Sequence, residues 1–350
     1  MSGQKTTKGC QLATREKTKR VIEASEGQPT LKSIAFLTGL GVTTVSRALK
    51  DGPEIGEDTK KRVRQIAKQI GYRPNRAGVR LRTGKTNVIS LVLNTHEDTR
   101  GLVSEMVYGI TEVLSHTPYH LVITPYSLDD AMEPVRYIVE TRSADGLIIS
   151  RTEANDRRVK YLVEQNFPFA THGRTDMGLV HAWHDFDNTA YGRSAVSMLA
   201  ARGRKRIALN GPPEKLFYSV HTRAGFNAGI REFGLDEFPW QSRDVDSSME
   251  SIRQLGYEIG YRANRPDGVV CSSPLSALGL ASGFELAGLK IGEDIDLVTK
   301  NTGQLLTWYK PEILTITEDF REAGRDLARA VLGRIEGFDP ATLQHLVFPQ

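Results

Sequence analysis

The sequence predicts a small all-α headpiece followed by an α/β body of two lobes, each lobe built on a doubly wound parallel sheet. Three observations predict it. Residues 29–72 carry three short stretches of helical periodicity separated by Gly and Pro. From residue 87 onward, apolar runs alternate with amphipathic segments, and this βαβ rhythm starts again after residue 190. The charge divides in the same place: residues 1–86 hold 19 Lys/Arg against 7 Asp/Glu, and the remainder holds 27 against 35. A basic front on an acidic body points to a polyanionic partner at one end.

The bulk composition narrows the class. A chain of 350 residues has room for two or three domains, and 39% hydrophobic with 25% charged residues is globular. No run approaches the roughly 18 uninterrupted apolar residues that a membrane span needs. Residues 1–28 are polar and basic, without the apolar core of an export signal. Two cysteines far apart, Cys10 and Cys271, argue for a reducing compartment and against a disulfide framework or a cysteine metal site. The expected setting is cytoplasmic, in association with the nucleoid and without a membrane partner.

Taken in order, residues 1–28 lack apolar periodicity and read as a disordered basic tail. Residues 29–74 read as the headpiece. Thr30 is a suitable N-cap for a helix with Leu31, Ile34, Ala35 and Thr38 on one face. Gly39 and Gly41 break the pattern, and Val42, Val45, Ala48 and Leu49 resume it. Asp51-Gly52-Pro53 is a firm stop. A third helix follows from Glu57 to Ile70, with Glu57 and Asp58 suiting the positive end of its dipole and Gly71 as its C-terminal stop. Residues 75–86 form a basic, Gly-containing hinge in which 75–82 has the length of two helical turns.

In the body, residues 87–350, strands are expected at 88–93, 120–124, 146–149 and 167–171, with helices at 102–115, 132–141 and 157–165 between them. After residue 190 come helix 191–202, strand 206–209, helix 223–233, strand 268–272, helix 276–287 and strand 295–299. Two such units in succession imply two lobes with a cleft between them, a common seat for a small ligand.

The segment TLKSIAFLTGLGVTTVSRAL, residues 30–49, has the layout of a helix-turn-helix. Its second helix sets Thr43, Thr44, Ser46 and Arg47 away from Val42 and Val45. Short hydroxyl donors reach phosphates and base edges from a helix in the major groove, and an arginine can hold guanine with two hydrogen bonds. With IGEDTKKRVRQIAKQIGYRPNRAGVRLRTGKT after it, this region resembles the headpiece and hinge of the lactose-repressor (LacI) family. The motif DFDN at 185–188, the AGF at 224–226 and TITEDFREAGRDLARAVL at 315–332 are similar to the family's periplasmic-binding-protein-like sensor domain.

That resemblance implies a sequence-specific transcriptional regulator, by the family's habit a repressor, that acts as a homodimer on double-stranded operator DNA. It implies base reading by Val42, Thr43 and Arg47. It implies backbone or phosphate contacts at Leu31, Lys32, Thr44, Ser46 and Asn75. It places Val79, Arg80 and Leu81 in a hinge helix that pairs with its counterpart in the minor groove, with Leu81 as the wedge between base steps; the alternative for Leu81 is the core of a linker helix. No leucine heptad ends the chain, so a tetramer made that way is not expected.

The resemblance also implies a small sugar-like effector between the lobes, and here the sequence departs from the family. Thr222 stands where family members usually carry an arginine, with Arg223 one place later. Asn301 beside Lys300 replaces the usual aspartate after the last cleft strand. Ser273-Pro274 replaces an Asn-Asp pair. Further polar candidates for the cleft are His172, Arg174 and His221. The set allows a polyol or an anionic sugar. His181 and His184 lie close together without a carboxylate or cysteine at ligand spacing, so no metal site and no cofactor is expected.

Two other classes fit the sequence less well. A sugar-binding module unrelated to DNA fits the two lobes but not the basic headpiece. An α/β enzyme finds no support, since no GxGxxG after a strand, no P-loop and no nucleophile elbow occurs.

Overall fold

A computed structural model describes residues 29–72, 80, 84–94, 102–126, 130–239, 243–302, 306, 308 and 310–349. The chain divides into two compact units, Met1–Thr86 and Asn87–Gln350.

Among its described residues the first unit forms α1 (Leu31–Thr38), α2 (Val42–Leu49) and α3 (Glu57–Gln69). Thr30 caps α1 through a capping box: its hydroxyl accepts from Ser33 N while Ser33 Oγ accepts from Thr30 N at 3.2 Å. Gly39 ends the helix in the left-handed region at φ 69°. Ile34, Ala35, Val45, Ala48, Val63, Ala67 and Ile70 close a core between the three helices. Each comes from the apolar stripe read in the sequence. Asn75, Val79 and Leu81, and the 1–28 tail, lie outside the described residues; Arg80 is helical and exposed.

The second unit opens with β1 (Val88–Asn94), α4 (Leu102–Leu114), β2 (His120–Tyr126), α5 (Glu133–Thr141), β3 (Gly146–Ile149), α6 (Arg157–Glu164), β4 (Phe169–His172) and β5 (Ala182–Phe186). It continues with α7 (Asn188–Ala201), β6 (Arg206–Asn210), α8 (Phe217–Phe233), β7 (Asp236–Glu237), α9 (Met249–Gly260), β8 (Gly268–Cys271), α10 (Pro274–Leu286), β9 (Asp296–Asn301) and β10 (Leu314–Thr317). It ends with α11 (Phe320–Glu336), a 3-10 turn (Pro340–Leu343) and β11 (Gln344–Val347). One sheet runs β11-β5-β4-β3-β1-β2, the other β10-β9-β8-β6-β7, and every pairing is parallel. Apart from the added β11, both follow one winding order, the doubly wound pattern in which ligands bind at the carboxyl ends of the strands. The chain passes from the first sheet to the second at residues 186–188 and returns at 317–320.

Several elements were not read from the sequence. The helix expected at 223–233 begins at Phe217, since nothing between 217 and 222 breaks a helix. Strand β5, AWHDF, carries His and Asp in its interior and lacks the apolar run that marks a buried strand, yet His184 and Asp185 are both buried. Helix α9 and strands β7, β10 and β11 also went unread.

Three helix pairs cross through glycine. A Cβ at Gly109 of α4 would stand 1.9 Å from Arg321 O, and one at Gly324 of α11 would stand 2.2 Å from Met106 O. Gly192 and Gly225 do the same for α7 and α8, with Gly225 facing Thr189 O at 2.0 Å. Gly256 and Gly283 do it for α9 and α10, with Gly283 facing Arg253 O at 2.1 Å. At each crossing backbone lies on backbone, because any side chain there would displace the partner helix. The first pair belongs to one lobe and the other two to the second.

Candidate functional site

A cavity of about 150 Å³ lies between the lobes of the second unit, at the carboxyl ends of both sheets. Strand β1, the loop after β3 and the end of β4 bring Leu93, Arg151 and His172 from one side. The loop after β8, the end of β9 and the loop before α9 bring Ser273, Lys300 and Asp246 from the other.

Lys300 forms the floor. Its Nζ lies 2.8 Å from Glu318 Oε2 and donates to Asn188 Oδ1 at 2.7 Å. It also sits over the rings of Phe186, Tyr191 and Tyr218 at 4.8, 5.3 and 5.6 Å. A buried ammonium needs both a counter-charge and hydrogen-bond acceptors, and this cage supplies them, with the ring faces adding further attraction. Asn188 and Glu318 stand on the two segments that connect the lobes, so the cage ties both crossovers to β9.

At the rim Arg151 of the first lobe reaches Asp246 of the second with both guanidinium nitrogens, NH1 at 3.1 Å from Oδ1. Beside it the lobes also share backbone contacts: Phe217 N donates to Thr152 O at 2.9 Å, and Glu153 bridges Leu216. Arg151→Gln is expected to weaken closure of the unliganded lobes by about 1 kcal/mol, roughly fivefold in the open-to-closed ratio. A larger radius of gyration in small-angle scattering checks it.

His172 lines the cavity, packed on Phe320 at 5.2 Å and stacked on His184 at 6.0 Å. Burial, with the charges of His184 and Lys300 adding to it, pushes its imidazole down to about 3. It therefore meets a ligand as a neutral ring. Ser272 Oγ is shielded at the cavity wall without a hydrogen-bond partner, and the same holds for Ser276 Oγ, Thr299 Oγ1 and Asn210 Oδ1 nearby on the second sheet's elements.

Of the effector residues expected from the sequence, His172, Ser273 and Lys300 line this cavity. The other five do not. Arg174 turns onto Trp183 and donates from Nε to Asp185 Oδ2 at 2.6 Å. His221 packs its ring on Phe217 at 4.5 Å, and burial, then the charge of Arg174, lowers its pKa. Thr222 is fully buried, its hydroxyl donating to Tyr218 O at 2.9 Å. Arg223 faces outward to Glu237 at 2.8 Å. Asn301 alternates away from Lys300 along β9. Sequence reasoning missed Arg151, Asp246 and Tyr218, and it quoted Asp185, Asn188, Glu318 and Phe320 only within motifs.

In the first unit, α2 buries Val45 and Ala48 and turns its other face out. Val42, Thr43 and Arg47 are exposed there, with Thr44 and Ser46 half-buried. On α1, Lys32 is exposed and Leu31 half-buried. Arg47 NH1 lies 3.4 Å from Glu54 Oε1, both side chains being solvent-accessible. Gly41 precedes α2 with no side-chain cap, which leaves the first backbone N–H groups of the helix without side-chain acceptors. The face therefore combines short donors, a cation and the positive end of a helix, a set suited to phosphates and base edges.

Residues 30–75 match the family model of bacterial regulatory proteins, lacI family, and residues 196–350 match that of the periplasmic binding protein-like domain. The transcriptional regulator AglR of Rhizobium meliloti is 33% identical over 321 residues, covering 87% of each chain. RafR of Escherichia coli is 31% identical, covering 90% of this chain and 94% of its own. Among solved structures, the lac repressor dimer bound to operator and the anti-inducer ONPF superimposes with a TM-score of 0.80 at 21% identity, covering 93% and 97% of the two chains. A complex of the regulator CelR with cellobiose superimposes at 0.67 and 22% identity, covering 92% and 98%.

Proposed function

The chain belongs to the LacI family of bacterial regulatory proteins and is a DNA-binding transcriptional regulator, and from that premise we propose that it is a homodimeric repressor released or recruited by a neutral sugar held in the cavity between its lobes. One observation carries the choice of ligand: the charged groups lining the cavity are matched. Arg151 is paired with Asp246, Lys300 with Glu318, and Asp185 with Arg174. Among the described residues they leave no surplus cation at the cavity for a phosphate or uronate. The shielded Ser272 hydroxyl, Ser273, Asn188 and the neutral His172 offer hydrogen bonds to hydroxyl groups, and Tyr218 and Phe320 offer ring faces. The CelR–cellobiose complex supports the same class of ligand. A thermal-shift screen of the whole chain against neutral mono- and disaccharides and their phosphates and acids tests it. Stabilisation by the charged sugars alone would sink the neutral assignment.

On the DNA side, Val42, Thr43 and Arg47 read bases, and Leu31, Lys32, Thr44, Ser46 and Asn75 hold the backbone. Val79, Arg80 and Leu81 belong to a minor-groove hinge. The lac repressor dimer on its operator supports two copies acting together. Arg47→Ala is expected to cost about 1–3 kcal/mol at the guanine it holds, and to relax selectivity there. Lys32→Ala is expected to weaken all sequences alike and to lower the salt slope by about one. Gel shifts on an operator selected from random DNA read both. Equal affinity of wild type and Arg47→Ala for the selected site overturns this base-reading role. The protein works by binding rather than turnover, in keeping with its regulator relatives.

A further inference from the structure

We propose that His184, Asp326 and His345 form a binding site for a divalent transition-metal ion, with zinc the ion best matched to two imidazoles and one carboxylate.

Three elements converge to make the site. His184 of β5 and His345 of β11 stand directly opposite each other in the parallel register, so both side chains leave the same face of the first sheet. Helix α11 covers that face and brings Asp326 onto it. Asp326 Oδ2 lies 3.0 Å from His184 Nδ1 and also meets His345 Nδ1. The three donor atoms all fall within 4.8 Å of one another.

Ligand atoms at about 2.0–2.2 Å from zinc in a tetrahedral site stand roughly 3.3–3.6 Å apart, so movements below about 1 Å seat an ion among them. Nitrogen donors favour zinc, cobalt or nickel over magnesium or calcium, which take oxygen. Asp326 is also held from behind: Arg329 donates to its other oxygen, Oδ1, at 3.0 Å, which leaves Oδ2 turned to the imidazoles. His184 is buried and His345 is exposed at the sheet edge, so an ion has a protein wall on one side and an entry path on the other. Three protein ligands leave a fourth position open to water.

The local sequence did not show this site. The carboxylate comes from 142 residues after His184 and the second imidazole from a neighbouring strand. His181, the histidine nearest in sequence, takes no part: its ring stacks on Phe169 and its two nitrogens meet Leu179 O and Thr171 Oγ1, each at 3.1 Å. The simpler arrangement, a carboxylate oxygen accepting hydrogen bonds from two imidazoles, is the competing outcome of the test.

The test uses the tag-free, chelator-treated full chain, titrated with zinc chloride by calorimetry and with cobalt(II) by visible absorption. One ion per chain is expected, with cobalt bands of low-coordinate nitrogen–oxygen ligation and no response to magnesium. His345→Asn and Asp326→Asn are each expected to weaken zinc at least ~10-fold. His345→Asn changes an exposed position, and a normal circular-dichroism melt shows that it folds. His116→Ala, an exposed histidine elsewhere, is expected to leave zinc binding unchanged. No zinc binding by the wild type, or equal affinity in wild type and His345→Asn, overturns the site and leaves the hydrogen-bonded bridge.

Discussion

Replacing Lys300 with Met is expected to lower the unfolding free energy of the lobed unit by about 3–5 kcal/mol, the usual cost of stripping one partner from a buried ion pair. The methionine fills most of the volume, so the loss is electrostatic. Glu318 is left in the interior without Nζ at 2.8 Å, and Asn188 Oδ1 loses its donor. Adding Glu318→Gln in the same chain is expected to recover most of the stability, since a neutral amide removes the uncompensated charge. Urea unfolding of the four members of this cycle, followed by tryptophan fluorescence, reads the coupling. Additive losses would show that the two groups do not act as a pair. Response to the sugar identified by the thermal-shift screen is expected to vanish in Lys300→Met and to stay absent in the double variant. Lys300 is cavity wall as well as structural tie.

The second large effect is expected at Gly324. An alanine there places a methyl group 2.2 Å from Met106 O and 3.0 Å from Ile110 N, and both are backbone atoms with no rotamer to yield. Helices α4 and α11 must part by more than an ångström. Overpacking of this kind costs about 3 kcal/mol, offset by ~1 kcal/mol because alanine favours a helix over glycine. The net loss of about 2 kcal/mol shows as a fall of several degrees in the melting temperature. Gly211→Ala is the control: its new Cβ meets only Leu209 side-chain atoms at 3.6 and 3.7 Å, an ordinary contact, and the melting temperature is expected to hold.

How much of this was legible in the sequence depended on range. The headpiece read correctly down to its Thr30 cap because caps, turn glycines and a three-residue stripe are local signals. The inner strands of both sheets other than β5 also read, since buried parallel strands show as apolar runs, while the short or edge strands β7, β10 and β11 did not. Strand β5 did not, because its interior His184 and Asp185 satisfy partners supplied from other elements, Asp326 and Arg174.

Three of the eight effector residues expected from the sequence line the cavity, and the phase of α8 accounts for part of the remainder. With α8 starting at Phe217, Tyr218 stands in its first turn and faces the cavity. Thr222, one turn on, is buried against α7, where Gly192 lies close to its carbonyl oxygen. The family resemblance pointed to Thr222 and Arg223, which on this helix meet α7 and Glu237 instead of the cavity. Arg151 and Asp246 lay in loops with no motif, and only the approach of the two lobes gives them meaning.

The glycine crossings constrain what the molecule can do with a bound ligand. Where backbone rests on backbone, paired helices have no soft side-chain layer to slide on. None of the three crossings spans the lobes. Each lobe is therefore a stiff block, and the compliance left between the blocks is the torsion of two short connectors, at 186–188 and 317–320. Closure around a ligand in the cavity would thus be expressed as an angle between the two blocks.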